Sequence, residues 1–378
     1  MATPPLSDDV IEQSAQTLAD YGGNQSRAAD ALGISRSALQ DRIKMAARRG
    51  ISPHHDKTGT TPPGFSLKGK SILYDADGQV RAQWIKTSQE QEDRAQALMG
   101  AVEAMCQGYK KKPAKAPKRS NEDLLTVYPM GDPHIGMYAW AEETGTDFDC
   151  DIAERQLCEA VDNLVSLAPA SKVGIILNLG DFFHADNTTN RTMGSGHPLD
   201  VDTRWGRVLD IGARAMERCI SAALRKHEKV IVRNNIGNHD EHTSQALALA
   251  MHLLFREEPR VTIDRSPSHF WYYLHGKSLI GSTHGDMTKP EKLPQIMAAD
   301  RPEDWGKAEH RCWYIGHVHH KSVTDAPGCH VRSFRTLAAK DAWTAMMGYR
   351  SGRDMHAIIH HNLYGEIQEH RVDVSMLT

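Results

Sequence analysis

The sequence predicts an α/β fold in which two packed sheets are flanked by helices, preceded by a small all-α head. Three observations lead there. From Leu124 onward, short apolar runs at 124–128, 173–179 and 230–235 alternate with amphipathic helical stretches, the texture of strand-helix-strand units. Beyond residue 255 the chain turns strand-rich, with runs at 270–274, 278–283, 312–315, 331–334, 356–360 and 367–374 expected to pair mostly antiparallel. The first 50 residues instead carry apolar side chains at helical spacing. A length of 378 residues exceeds one typical domain. The boundaries are drawn at 1–50 for the head, 51–120 for a linker region and 121–378 for the α/β domain.

In the head, Val10, Ile11, Ala15 and Leu18 mark a helix over 8–21 that Gly22-Gly23 stops. Asn24 offers an N-cap for a second helix bearing Ala28, Ala29 and Leu32, and Ser35 caps a third over 36–49 with Leu39 and Ile43 inward. Two short helices about a glycine-containing turn form the helix-turn-helix pattern, with the third helix placed for a major groove. Its outward residues Arg36, Ser37, Gln40, Arg42, Lys44, Arg48 and Arg49 suit phosphates and base edges. The run 24–36, with its small residues and glycine in register, resembles the helix-turn-helix of Fis-type bacterial regulators. That resemblance implies DNA as a partner and pairing of two heads in a homodimer. An adaptor that binds protein is the other reading of such a head.

Residues 51–65, rich in Pro, Gly and Thr, read as a linker. Strands at 71–74 and 80–85 flank Asp75-Ala76-Asp77-Gly78, a hairpin signal. A polar helix is expected over 88–107, then a basic, proline-broken tether at 110–119. In the α/β domain, Asp151 and Glu154 have capping-box spacing for a helix bearing Leu157, Val161 and Leu164. Trp205, Val208, Leu209, Met216 and Ile220 mark a second helix, and 244–255 a third.

Composition narrows the function classes. Hydrophobics at 40%, charged residues at 25% and a net charge of -3 describe an ordinary soluble chain. No run is long enough to span a bilayer and the N-terminus lacks a signal-peptide core, so the cytoplasm is expected, that of a host cell if a phage encodes the chain. The six cysteines are scattered with no Cys-x-x-Cys pair, which reads as free thiols and argues against a disulfide scaffold. Charge is uneven: residues 1–120 hold 18 Lys and Arg against 13 Asp and Glu, so the basic arm points to a polyanion. The 21 histidines are an excess that raises the prospect of a metal site.

Five strand-then-turn segments end in ligand-type residues: Asp132-Pro133-His134, Gly180-Asp181-Phe182-Phe183-His184, Gly237-Asn238-His239-Asp240, Thr283-His284-Gly285-Asp286 and Gly316-His317-Val318-His319. In extended backbone, residues two apart face the same side, so Asp132 with His134, and His317 with His319, would approach a metal together. Carboxylate, imidazole and amide donors suit divalent manganese, iron or zinc. In kind and order the five segments resemble the calcineurin-like metallophosphoesterase superfamily, which implies a two-sheet sandwich and two divalent metal ions, manganese foremost, with iron, zinc or nickel also suited. By this resemblance Asp132, His134, Asp181 and His319 would hold one ion and Asp181, Asn238, His284 and His317 the other, with Asp181 bridging. A metal-bound hydroxide would attack phosphorus in line, His239 would protonate the leaving oxygen, and Asp240 would orient or charge His239.

The substrate is the less determined part. The superfamily's serine/threonine phosphatases place an Arg soon after the second motif, and none follows Gly180-Asp181-Phe182-Phe183-His184 here. Gly-Asp-x-Phe-His is similar instead to the SbcD-type DNA repair nucleases, which implies that His184 places a phosphodiester. The overall texture resembles phosphoesterases of tailed phages. A DNA nuclease targeted by its helix-turn-helix is therefore expected. The alternatives are a phosphatase or cyclic-nucleotide phosphodiesterase on a small substrate, and a DNA-binding regulator with a non-catalytic phosphoesterase scaffold.

Overall fold

The computed structural model describes residues 6–49, 65–74, 80–89, 102, 115–192 and 196–377, with the side chains of 47–49, 65–74 and 80–89 left aside. The chain forms two compact units, Met1–Ala97 and Leu98–Thr378.

In the first unit, helices α1 (Asp8–Asp20), α2 (Gln25–Ala31) and α3 (Arg36–Arg49) follow the expected apolar spacing. The Asn24 side chain accepts from Arg27 N at 3.2 Å and Ser35 Oγ from Ala38 N at 3.1 Å, so both expected caps satisfy amides that a helix start leaves free. Ile11, Ala15 and Ala46 make one small core and Ala28, Ala29 and Leu39 another, with Ile43 touching both. The antiparallel hairpin β1 (Phe65–Tyr74) and β2 (Val80–Gln89) belongs to this unit, and its strands run longer than expected. Strand β2 covers Ser88, where the polar helix was expected to begin. The linker 51–64, the turn at 75–79, most of the helix expected to 107 and the basic run to 114 lie outside the described residues.

The second unit is layered helix-sheet-sheet-helix. A six-stranded sheet has the order β13-β12-β3-β4-β5-β6, from β3 (Asn121–Met130), β4 (Ser171–Asn178), β5 (Lys229–Asn234), β6 (Val261–Asp264), β12 (Asp354–His361) and β13 (Gly365–Asp373). β3 to β6 are parallel, while β12 and β13 add antiparallel strands beside β3. After the short α4 (Ala141–Thr144), helices α5 (Cys150–Leu167), α6 (Trp205–Leu224) and α7 (Thr243–Phe255) connect the parallel strands, as such connections require. The second sheet, order β10-β11-β9-β8-β7, comprises β7 (Trp271–His275), β8 (Ser278–Thr283), β9 (His310–Ile315), β10 (Ser322–Ala326) and β11 (Cys329–Ser333). Side chains alternate across β3: Leu125 and Val127 enter the core between the sheets with Ile280 and Tyr314, whereas Tyr128 and Met130 meet Leu157, Val161 and Met216 of the helices. A further core sets Leu279 and Trp313 against Leu293 and Met297 of α8 (Leu293–Asp300), which α9 (Pro302–Lys307) follows.

Three expectations are corrected. The second sheet is not mostly antiparallel, because β11-β9-β8 run parallel with α8 and α9 making the crossover between β8 and β9. Strands β6 and β10 were not anticipated, being short and largely half-exposed or exposed. The cap of α5 is Asp149, which accepts from Ile152 N at 2.8 Å, and Asp151 and Glu154 pair instead with Arg207 and Arg214 of α6.

Candidate metal centre

All five motif segments sit beyond the carboxyl ends of parallel strands. β3 leads to Asp132 and His134, β4 to Asp181 and His184, β5 to Asn238, His239 and Asp240, β8 to His284, and β9 to His317 and His319. Because each sheet keeps its strands in register, these ends meet along one rim, the usual ligand side of a parallel sheet.

The backbone there departs from extended geometry. Among the described residues, six non-glycine positions have positive φ, and five are expected ligands: Asp132 (44°), His134 (47°), Asp181 (49°), His317 (65°) and His319 (52°). The sixth is Asn190. Tight left-handed turns, not extended backbone with residues two apart on one side, bring these donors round; such turns cost roughly 1–3 kcal/mol each and persist where the surroundings enforce them. The enforcement is visible. His134 N donates to Asp181 O at 3.0 Å, His239 N to Asp181 Oδ1 at 2.8 Å, and His317 N to both Asp132 carboxylate oxygens at 3.0 Å. Gly180 is required twice over, by its φ of 106° and because a methyl group in its place would lie only 2.5 Å from His284 Nδ1.

The side chains converge in two groups. Donor atoms of Asp181, His284 and His317 lie within 4.8 Å of one another, as do those of His134, His184 and His239. His284 Nε2 is 3.2 Å from Asp181 Oδ2 and 3.1 Å from Asn238 Oδ1, while its Nδ1 is 3.0 Å from Leu179 O and 3.6 Å from Asp132 Oδ1. His134 Nε2 is 3.2 Å from His319 Nε2, which is 3.9 Å from Asp132 Oδ1. Asp132, His134, Asp181 and His284 are buried; Asn238 and His239 are half-buried.

Electrostatics keeps several imidazoles of the centre neutral while the crowded carboxylates draw a proton onto another. Burial and the neighbouring imidazoles of His239, His319 and His184 hold His134 well below its ordinary value. Burial likewise lowers His184 to about 3 and His319 to about 4, so these rings are neutral and keep a lone pair. Burial raises Asp132 to about 7, His284 pulls it down and Asp181 pushes it up again, the behaviour of two carboxylates crowded together. Burial opposes protonation of His284, but Asp181 and Asp132 lift it to about 10, so the carboxylates hold a proton on this ring. His184 Nε2 is buried without a hydrogen-bond partner. Clustered carboxylates, neutral imidazoles and an amide oxygen fit divalent transition metals.

His184 and His239 stack with ring centroids 5.3 Å apart, and His239 Nδ1 lies 2.9 Å from His184 O, which fixes the ring and leaves Nε2 for other partners. Asp240 does not touch His239 as expected. Its buried carboxylate accepts from the amides of Asp181, Phe182, Phe183 and Gly237 at 2.8–3.2 Å, tying the β4 and β5 loops together. Two supports were not anticipated. Thr336 Oγ1 donates to Asp132 O at 2.6 Å, and buried Asp186 receives Thr243 N and Oγ1 and the amide and Nδ1 of His242. Asp186, two residues past His184, was the available signal.

In the head, Arg36, Ser37 and Lys44 of α3 are exposed as expected. Gln40 and Arg36 both donate to Gln25 Oε1 of α2, at 2.9 and 3.3 Å. Arg42 is corrected: it is half-buried and its guanidinium donates to Ser14 Oγ of α1 at 3.3 Å, so it braces the helices. The side chains of Arg48 and Arg49 lie outside the described residues.

Residues 15–45 match the family model for bacterial regulatory proteins of the Fis family. Among curated proteins, none matches the chain. Among solved structures, a conserved uncharacterized protein and predicted phosphoesterase from Streptococcus pneumoniae TIGR4 is similar, with 11% identity and a TM-score of 0.30, over 67% of this chain and 91% of that one. Zinc-complexed Vps29 from Entamoeba histolytica is similar at 12% identity and 0.28, over 66% and 99%. A dimetal phosphatase from Danio rerio is similar at 10% identity and 0.34, over 66% and 99%.

Proposed function

We propose that the chain is a dinuclear-metal phosphoesterase that hydrolyses phosphodiester bonds, a DNA nuclease brought to its substrate by the helix-turn-helix. The observation that carries the reading is the convergence of five sequence-distant motif segments on one rim, with five of their donor residues forced into left-handed turns. Strain of that kind is kept where a site needs it. Asp132, His134, Asp181 and His319 would hold one cation and Asp181, Asn238, His284 and His317 the second. Two divalent ions held there supply an acidified water and compensation for charge on the phosphoryl group.

The remaining chemistry falls to the chain itself. The two oxygens of Asp181 face different motif segments, Oδ1 accepting from His239 N at 2.8 Å and Oδ2 lying 3.2 Å from His284 Nε2. His239, oriented through Nδ1 by the His184 carbonyl, presents Nε2 as the proton donor to the leaving oxygen. Phe182 and Phe183 are buried in the helix-side core, so His184 is the side chain of that segment turned to the centre, where its Nδ1 lies 3.3 Å from His134 Nδ1 and it positions the diester. Exposed Arg36 and Lys44 on α3 supply phosphate contacts for DNA targeting.

The test is hydrolysis with added manganese, comparing single-stranded DNA, duplex DNA, an aryl phosphodiester and an aryl phosphomonoester, for wild type and Asp181→Asn. DNA cleavage in the wild type and a loss of at least about 100-fold in the variant are expected, the scale of removing a principal electrostatic element. Turnover of the small esters with DNA left intact would overturn the nuclease reading.

A further inference from the structure

We infer that an aromatic rim beside the centre stacks the bases of a single-stranded polynucleotide, so that the strand cut is unpaired. The inference rests on the phosphodiesterase reading above and names its substrate. Among the described residues two tryptophans are exposed, Trp140 at 54% and Trp343 at 50%, and both stand on segments that spring from the site. The chain turns immediately after His134, with Met137 N donating to His134 O at 3.0 Å, and reaches Tyr138 and Trp140. On the other side Thr336, bonded to the Asp132 carbonyl, begins the run that passes Lys340 to Trp343 and Tyr349. Helix α4, which Trp140 precedes, packs against α10 (Ala342–Met346), which contains Trp343, so the two segments form one face. The rings of Trp343 and Tyr349 lie 6.0 Å apart at 30°. Tyr138 and Tyr349 are 45% and 49% exposed.

Aromatic faces left in water forgo burial that a core would reward, and a contiguous set of them marks a contact surface. Chemistry narrows the occupant. Lys340 and Arg350 on the same run supply cations for a phosphate backbone threading between stacked bases. The carboxylate of Asp341 between them is turned to the cap of α10, accepting from Thr344 N at 2.8 Å and Thr344 Oγ1 at 2.7 Å. In a duplex the base faces are already stacked on one another, so exposed rings gain nothing from them. A single strand offers free base faces and one backbone, and such stacking tolerates any sequence.

The experiment compares kcat/KM of the full chain, with manganese, on a labelled single-stranded oligonucleotide and on the same strand carrying abasic sites around the scissile phosphate. Wild type is expected to prefer the base-bearing strand by about tenfold or more, the scale of stacking one or two bases. Trp140→Ala with Trp343→Ala should bring that ratio towards one, and Phe at both positions should restore it; circular dichroism reports whether each variant folds, and a wild-type ratio near one overturns the inference without any variant. Equal rates on both strands would overturn the rim while leaving the centre's reading intact. Hydrolysis of neither strand nor a small aryl diester would overturn the reading of the centre and this inference with it. An unchanged ratio in the alanine pair, together with a shift from dimer to monomer, would make the face a subunit contact and overturn the inference.

Discussion

At the scale of single residues the centre is a set of atoms with no room to spare. A methyl group on Gly237 would lie 2.1 Å from Asp181 Oδ1 and 2.3 Å from its backbone nitrogen, against the residue proposed to bridge two cations. Gly237→Ala is therefore expected to lower manganese-dependent hydrolysis by at least about tenfold at a stability cost of about 1–3 kcal/mol, read from initial rates beside urea unfolding; wild-type rates would show that the β5 loop moves freely. The ligand-type residues were legible because motif order and spacing survive in sequence. The role of Asp240 was not, because three of the amides it binds belong to Asp181, Phe182 and Phe183 on a loop 57 to 59 residues away.

At the scale of elements, the starts of β4 and β5 are held by a buried histidine. His227 Nε2 lies 2.7 Å from Tyr128 Oη on β3, and Nδ1 is 2.8 Å from Ser171 Oγ at the head of β4. Burial lowers its pKa to about 4, against the Ser171 carbonyl, which raises it. The unfolded chain has an ordinary histidine near 6.5, so it binds the proton more readily than the folded one between these values. The contribution of neutral His227 is whole above about pH 6.5 and is lost as pH falls towards 4, about 3 kcal/mol across the window. The stability gap between wild type and His227→Gln, from urea curves at pH 7.5 and about 4.5 with chelator present, should shrink by that order; a gap independent of pH would mean that His227 titrates freely. Strands β3, β4 and β5 were readable as apolar runs. The parallel pairing of β8 with β9 was not, since the Pro-containing stretch carrying α8 and α9 lacks a clean helical period.

At the scale of the whole molecule, the chain has two compact units with separate cores, and the proposed reading gives recognition to the first and chemistry to the second. Replacing Arg36 and Lys44 by alanine should weaken duplex binding and flatten the dependence of log K on log salt by about 2, since each phosphate contact contributes about 0.9; a slope that stays the same would place the contacts elsewhere on the chain. How the parts of the centre are spread along the chain has a further consequence. His134 meets His319, and Asp132 meets the His317 amide, each across 185 residues of sequence. No fragment that stops short of β9 contains both halves of the pocket. On the proposed reading, a chain still on the ribosome is therefore inert until its second unit is almost complete, long after the helix-turn-helix at residues 8–49 has been made.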